Sequence, residues 1–144
     1  MTDQVFSLAN GAALLSWLAL ILLPRWPALL AALRGGAVGL LSLLYAVLVS
    51  VFFFGVGGGG YSSLPEVQAL FAVPEVALAG WVHYLAFDLF VGLWIAERSD
   101  ALGLSRLVQA PILAATFMFG PVGLLLFLAA RAALAGVQRA EGAA

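Results

Sequence analysis

Residues 76–95 read VALAGWVHYLAFDLFVGLWI, a stretch of twenty residues in which only Asp88 carries a formal charge. An apolar helix of about this length crosses the hydrocarbon core of a bilayer, which is about 30 Å thick. Backbone N–H and C=O groups in lipid must be paired within the structure, which favours a helix here. The stretch therefore predicts a membrane-spanning helix that holds His83 and Asp88 near its middle.

The composition of the whole chain agrees with a membrane protein. Of its 144 residues, 65% are hydrophobic and 9% are charged, whereas a soluble domain is closer to half apolar. The net charge of -1 gives no basic surface for nucleic acid. The chain has no cysteine and one histidine, so we predict no metal site and no cofactor. We expect a single transmembrane domain over residues 1–144.

Charged and turn-forming residues divide the chain into four apolar segments, each close to the length that a crossing helix needs. The segments are residues 5–23, 37–56, 76–95 and 108–130. Short connections favour antiparallel neighbours. We therefore predict an all-α fold, an integral membrane four-helix bundle.

A short helix is predicted between the second and third spans. The sequence Ser63-Leu64-Pro65-Glu66 has the capping-box pattern that opens a helix. Val67, Leu70 and Phe71 then fall on one apolar stripe. We expect an amphipathic helix over residues 64–72 at the membrane interface, acting either as a surface connector or as a lid over a lipid-facing pocket.

The arginines predict the orientation in the membrane. Arg25 and Arg34 fall in the predicted first loop, Arg98 and Arg106 in the third, and Arg131 and Arg139 in the C-terminal part. Cytoplasmic loops are enriched in basic residues. We therefore expect the first and third loops in the cytoplasm and both termini on the other side. The high content of Ala, Leu and Gly favours a bacterial gene, and we expect the protein in the inner membrane.

Asp88 is the residue whose position most needs an explanation. A carboxyl at bilayer depth costs about 3 kcal/mol on insertion scales, and such groups usually mark function. We expect Asp88 to face the bundle interior in its neutral form, bonded to a hydroxyl of Tyr45, Ser42 or Thr116. It then serves either as a proton donor or as a structural hydrogen-bonding group.

The third span has two faces. At about 100° per residue, Trp81, Tyr84 and Asp88 share one face, while His83 and Phe87 share another. His83 and Asp88 are about 140° apart around a straight helix, which argues against both reaching one atom. His83 is interpreted either as a hydrogen-bonded core residue or as a functional one.

The fourth segment contains a helix breaker. Pro121 cannot donate to the carbonyl of Phe117, so we predict a bend there. Gly120 and Gly123 allow close approach of another helix or of a ligand. A packing kink and a ligand contact are both open interpretations.

Two ordered motifs carry a family resemblance. Residues 81–90 (WVHYLAFDLF) and Phe119-Gly120-Pro121-Val122-Gly123, running on to Arg131, resemble the abscisic-acid-deficient-four-like family, and residues 63–71 are similar to its connecting loop. Its plant members are integral plastid membrane proteins needed to make neoxanthin from violaxanthin. The resemblance implies a bacterial relative that acts on, or binds, a carotenoid or isoprenoid within the bilayer.

The resemblance gives the candidate site residues a role to test. Opening an epoxide to an allenic alcohol needs an acid and a base, and Asp88 and His83 are the hypothetical catalytic pair. The expected substrate-binding residues are Trp81, Tyr84, Phe87, Tyr45, Thr116, Phe119, Gly120 and Pro121.

Three functions stay open from the sequence. The first is an enzyme of the isomerase type acting on a carotenoid. The second is a non-catalytic module that binds pigment or scaffolds other enzymes. The third is a small proton-coupled transporter, since a carboxyl within the membrane suits proton coupling. The expected partners are membrane lipid, a carotenoid or isoprenoid ligand, and either a second copy of the chain or another membrane enzyme.

Overall fold

A computed structural model describes residues 1–141, and the side chains of residues 1–136. Within this part the chain is helical and contains no strand, which confirms the all-α prediction. The helices are α1 (Thr2–Leu22), α2 (Pro27–Gly55), α3 (Leu64–Phe71), α4 (Pro74–Ala101), α5 (Arg106–Phe119) and α6 (Pro121–Glu141).

Three of the described helices are long and apolar enough to cross a membrane. They are α1, α2 and α4, with 21, 29 and 28 residues and mean hydropathies of 2.0, 2.5 and 1.6. At about 1.5 Å per residue, each exceeds the thickness of the hydrocarbon core. These helices correspond to the first three predicted spans, although each is longer than its predicted segment.

The start of α2 differs from the prediction. Arg34 was expected in the first loop, but the helix already begins at Pro27, and Arg34 lies in a π-helical stretch, Ala32–Val38. Proline at the first helical position has its φ preset for a helix. A long arginine side chain can also extend toward the interface, so its charge does not require a loop. Arg98 likewise lies in the last turn of α4 and not in the loop.

The short helix α3 covers most of the residues 64–72 that were expected to be helical, and its position at the membrane interface stays a prediction. The hydroxyl of Ser63 accepts a hydrogen bond from the Glu66 N–H at 3.4 Å. The Glu66 carboxylate accepts from the N–H of Ser62 at 3.0 Å, and not from Ser63 as a capping box requires. The two side chains therefore still pair backbone N–H groups at the start of α3. The N–H that Glu66 pairs belongs to Ser62, one residue earlier than the capping box predicts.

The described chain forms two compact units, Met1–Phe90 and the part that begins at Val91. The core of the first unit lies between α1, α2 and the first half of α4. Its buried side chains are Ala9, Ala13, Leu41, Leu48, Leu78, Ala79, Val82, Leu85 and Ala86. Alanines on two of the helices keep the side chains at their contacts small, which favours close helix packing in a membrane.

In the second unit the predicted fourth segment is divided at Gly120. This glycine has φ +39° and ψ -90°, and Pro121 begins the next helix. Gly123 packs so closely on Thr116 that an added Cβ would overlap the Thr116 backbone nitrogen and hydroxyl. The predicted bend and close approach are therefore confirmed, but residues 108–130 form two helices rather than one.

Candidate ligand-binding furrow and the second face of α4

A pocket of about 250 Å³ opens between α2, α3 and the start of α4. We call it the cap-end pocket. Its lining residues are Tyr45, Val49, Phe53, Tyr61, Leu70, Phe71, Val76, Ala79, Gly80 and His83. None of these side chains is a carboxylate, an arginine or a lysine, so the pocket suits an uncharged, largely apolar ligand.

A second pocket of about 230 Å³ continues along the same two helices. This far-end pocket is lined by Val38, Ser42, Ala86, Phe87 and Phe90. The rings of His83 and Phe87 stack at 4.4 Å and 23° where the two pockets adjoin. Together the pockets form what we call the aromatic furrow. It follows α4 from Val76 to Phe90, a length of about 21 Å at the helical rise.

Two polar side chains face each other across the furrow. The ring centroids of Tyr45 on α2 and His83 on α4 are 5.2 Å apart, with the planes at 56°. Neither side chain has a hydrogen-bond partner among residues 1–136. A phenol and an imidazole both need such partners when water is absent. The furrow therefore offers unpaired donors and acceptors within a largely apolar wall.

The cap-end pocket is covered by α3 and the glycine-rich loop before it. A Cβ on Gly80 would collide with the ring of Phe71, so the absence of a side chain lets Phe71 lie on α4. A Cβ on Gly59 would come within 2.6 Å of Leu70 in the same way. Tyr61 stacks on Phe53 at 5.4 Å and ties the loop to the end of α2.

The other face of α4 carries a separate polar strip. The indole of Trp81 donates to the side-chain oxygen of Asn10 on α1 at 3.1 Å, and packs against Tyr84 at 5.3 Å. The hydroxyl of Tyr84 hydrogen-bonds to the carboxyl of Asp88 one turn further on. The second oxygen of Asp88, Oδ2, is buried and has no partner within the described part of the chain.

This arrangement corrects the predicted partner of Asp88. The partner is a hydroxyl, but it belongs to Tyr84 on the same helix. Tyr45 and Ser42 line the furrow instead, and the Thr116 hydroxyl donates to the carbonyl of Ile112 at 2.8 Å. The expected partners all lay on other helices. Tyr84 is four residues before Asp88 and lies on the same face of α4, so the bond forms within one helix.

The structure thus distributes the predicted site residues over three places. Tyr45, His83 and Phe87 meet in the furrow. Trp81, Tyr84 and Asp88 form the strip on the other face of α4. Thr116, Phe119, Gly120 and Pro121 belong to the second unit, where they build the break between α5 and α6. Their roles in catalysis and ligand contact stay predictions.

Two amide side chains with structural roles were not among the predicted site residues. Asn10 holds the Trp81 indole, and the buried Gln109 donates to Asp100 at 2.8 Å and to the Leu104 carbonyl at 2.7 Å. Both lie within predicted apolar segments, so a polar side chain at either position was a visible signal. In the described residues no group of three or more His, Asp or Glu side chains could hold a metal ion.

Taken together, the long apolar helices and the uncharged furrow define an all-helical integral membrane protein with a candidate site for an apolar ligand. A family model described as ABA DEFICIENT 4-like matches residues 4–127, which is most of the chain. The chain belongs to the ABA DEFICIENT 4-like family. No curated protein and no solved structure matches it.

Proposed function

We propose that this protein binds a carotenoid or a similarly long, rod-shaped isoprenoid in the aromatic furrow, from within the bilayer. The observation that carries the proposal is the Tyr45–His83 pair, which lines an apolar groove without protein partners. Unpaired polar groups are costly in a medium that offers no hydrogen bonds. A ligand oxygen at this position would satisfy both side chains.

The shape of the furrow supports an elongated ligand. It extends about 21 Å along α4 but is divided into two shallow parts of about 250 and 230 Å³. Sites for compact drug-sized ligands usually enclose about 300–1,000 Å³ in a single cavity. A narrow polyene would lie along the exposed rings of Phe87 and Phe90, which are 58% and 49% exposed in the free protein.

Family membership supports the same class of ligand. The plant proteins that the chain resembles are needed for neoxanthin formation, which takes place on a membrane-dissolved carotenoid. Binding is the function that the geometry supports best. Opening an epoxide requires an acid and a base at one end group. His83 and Asp88 lie on different faces of α4 and are not brought together, so the binding proposal does not depend on that pair.

The test is pigment binding by matched variants in detergent micelles. His83→Leu should lower the affinity for an oxygen-bearing carotenoid, and Phe87→Ala the affinity for any carotenoid, by about tenfold or more, because a hydrogen bond to the ligand or an aromatic wall is lost. Leu15→Ala is the control, since Leu15 lies on α1 and is 69% exposed outside the furrow. Equal affinities for the three variants and the parent protein would refute binding in the furrow.

For the membrane arrangement we propose four crossings in a bacterial inner membrane, with α5 and α6 together as the fourth and both termini on the non-cytoplasmic side. The support is the length of these helices. With 14 residues, α5 extends about 21 Å and is too short to cross alone, whereas α6, with 21 residues, extends about 31 Å. The arginines support the orientation, because Arg25 lies in the connection between α1 and α2, and Arg98 and Arg106 flank the connection between α4 and α5.

A further inference from the structure

The furrow differs at its two ends. At the cap end, Phe71, Leu70 and Tyr61 cover the groove, and only Ala72 and Val73 join α3 to α4. The N–H of Val73 also donates to the carbonyl of Leu70 at 3.2 Å, which ties down the connection. The far-end pocket is lined by residues of α2 and α4 alone, with no third element among its described lining residues. The helix α3 therefore bounds the furrow at the cap end, and we expect a rod-shaped ligand to extend toward the far end.

The size of the cap-end pocket indicates what part of the ligand it holds. An apolar cavity of about 150 Å³ takes one benzene molecule. A pocket of about 250 Å³ therefore has room for one methyl-substituted six-membered ring but not for a complete forty-carbon polyene. The Tyr45 and His83 side chains border this pocket, at the position where such a ring would join its chain.

We infer that the protein recognises its ligand by one cyclic end, which lies beneath α3. This inference rests on the proposed function. Phe71 is the residue that sets the selectivity for a cyclic end. The polyene leaves the pocket past the stacked rings of His83 and Phe87, and the second end of the ligand remains in the lipid. Gly80 is the matching position on α4, because its missing side chain fixes how deeply Phe71 sits.

Three probes distinguish end recognition from general adhesion of polyenes. They are β-carotene with two rings, retinol with one ring and half the length, and the acyclic carotenoid lycopene. Retinol should bind within about tenfold of β-carotene, because the ring and the nearest part of the chain supply most of the contacts. Lycopene should bind at least about tenfold more weakly, as expected when an apolar pocket is left unfilled.

A variant at the cap tests the residue assignment. Phe71→Ala should bring the β-carotene to lycopene affinity ratio close to one, whereas Leu15→Ala should leave this ratio unchanged. Phe71 is 54% exposed, so its truncation is compatible with folding, and Phe71→Leu provides a milder second variant. If neither variant moves the ratio, Phe71 is not the selective residue.

The outcomes separate the two proposals. If lycopene, retinol and β-carotene bind equally to the parent protein and Phe87→Ala weakens all three, the furrow proposal stands and end recognition is overturned. If no probe binds to the parent protein, the proposed function itself fails. A selective parent protein with an unselective Phe71→Ala variant supports both.

Discussion

Substitution of Gly123 by alanine tests the close contact between α5 and α6. The added Cβ would overlap the backbone nitrogen, the Cα and the hydroxyl of Thr116, and a backbone cannot rotate aside as a side chain can. The pair α5 and α6 must therefore separate. Overpacking costs about 1–3 kcal/mol, and we expect the upper value of about 3 kcal/mol here. For a chain of this size that corresponds to a melting temperature about 10 °C lower.

The matched control is the same substitution at Gly136, further along α6. A Cβ there meets no atom within 4 Å, and replacing a helical glycine by alanine stabilises by about 0.5–1 kcal/mol. Thermal unfolding of the purified protein in one detergent measures both variants. Gly123→Ala should melt below the parent protein and Gly136→Ala slightly above it. Equal shifts of the two variants would show that the Gly123–Thr116 contact is not tight.

Three further predictions follow from other parts of the structure. Asp88→Asn should keep the Tyr84 hydrogen bond and leave pigment affinity within about twofold of the parent protein, because Asp88 lies outside the furrow. If a binding titration shows that this variant no longer binds pigment, the Asp88 face of α4 belongs to the binding site as well. Gln109→Leu should lower stability by about 1–3 kcal/mol in a melting experiment, since the carbonyl of Leu104 loses its donor; an unchanged melting temperature would contradict that role. A reporter fused to the C-terminus should be active on the non-cytoplasmic side, and a cytoplasmic signal would overturn the proposed orientation, though not the number of crossings.

Much of the helical framework follows from the sequence. Long apolar segments with few charges fix α1, α2 and α4 as helices able to cross a membrane, and the residues around Ser63 fix the start of α3. The ends of the helices do not follow from the sequence as closely, because a charged residue can lie inside a helix as well as in a loop. Arg34 is an example, since it lies inside α2.

The candidate site could be predicted only in part. Helical periodicity correctly separated the His83 face from the Asp88 face, because 100° per residue is a property of the backbone alone. It could not show that Tyr45 pairs with His83, or that Phe71 lies over Gly80. These contacts depend on the register between α2, α3 and α4, which local sequence does not encode.

The furrow and Asp88 lie on different faces of α4, which separates ligand binding from any acid chemistry of Asp88. The furrow has hydrogen-bonding groups and aromatic walls but no carboxyl. The buried Asp88 Oδ2 has no partner in the described residues, yet it belongs to the strip with Trp81 and Tyr84. Ligand binding and any proton transfer by Asp88 are therefore separable by single substitutions on one helix.

The most direct measurement is photo-crosslinking with a carotenoid analogue that carries a diazirine on one end ring, followed by mass spectrometric mapping of the labelled peptides. If the furrow holds the ring end, labelling should concentrate on the residues that line the cap-end pocket, above all Tyr45, Phe71 and His83. It should fall when unlabelled β-carotene competes. Labelling spread evenly over the exposed surfaces of α1 and α2, without competition, would contradict the furrow as the binding site.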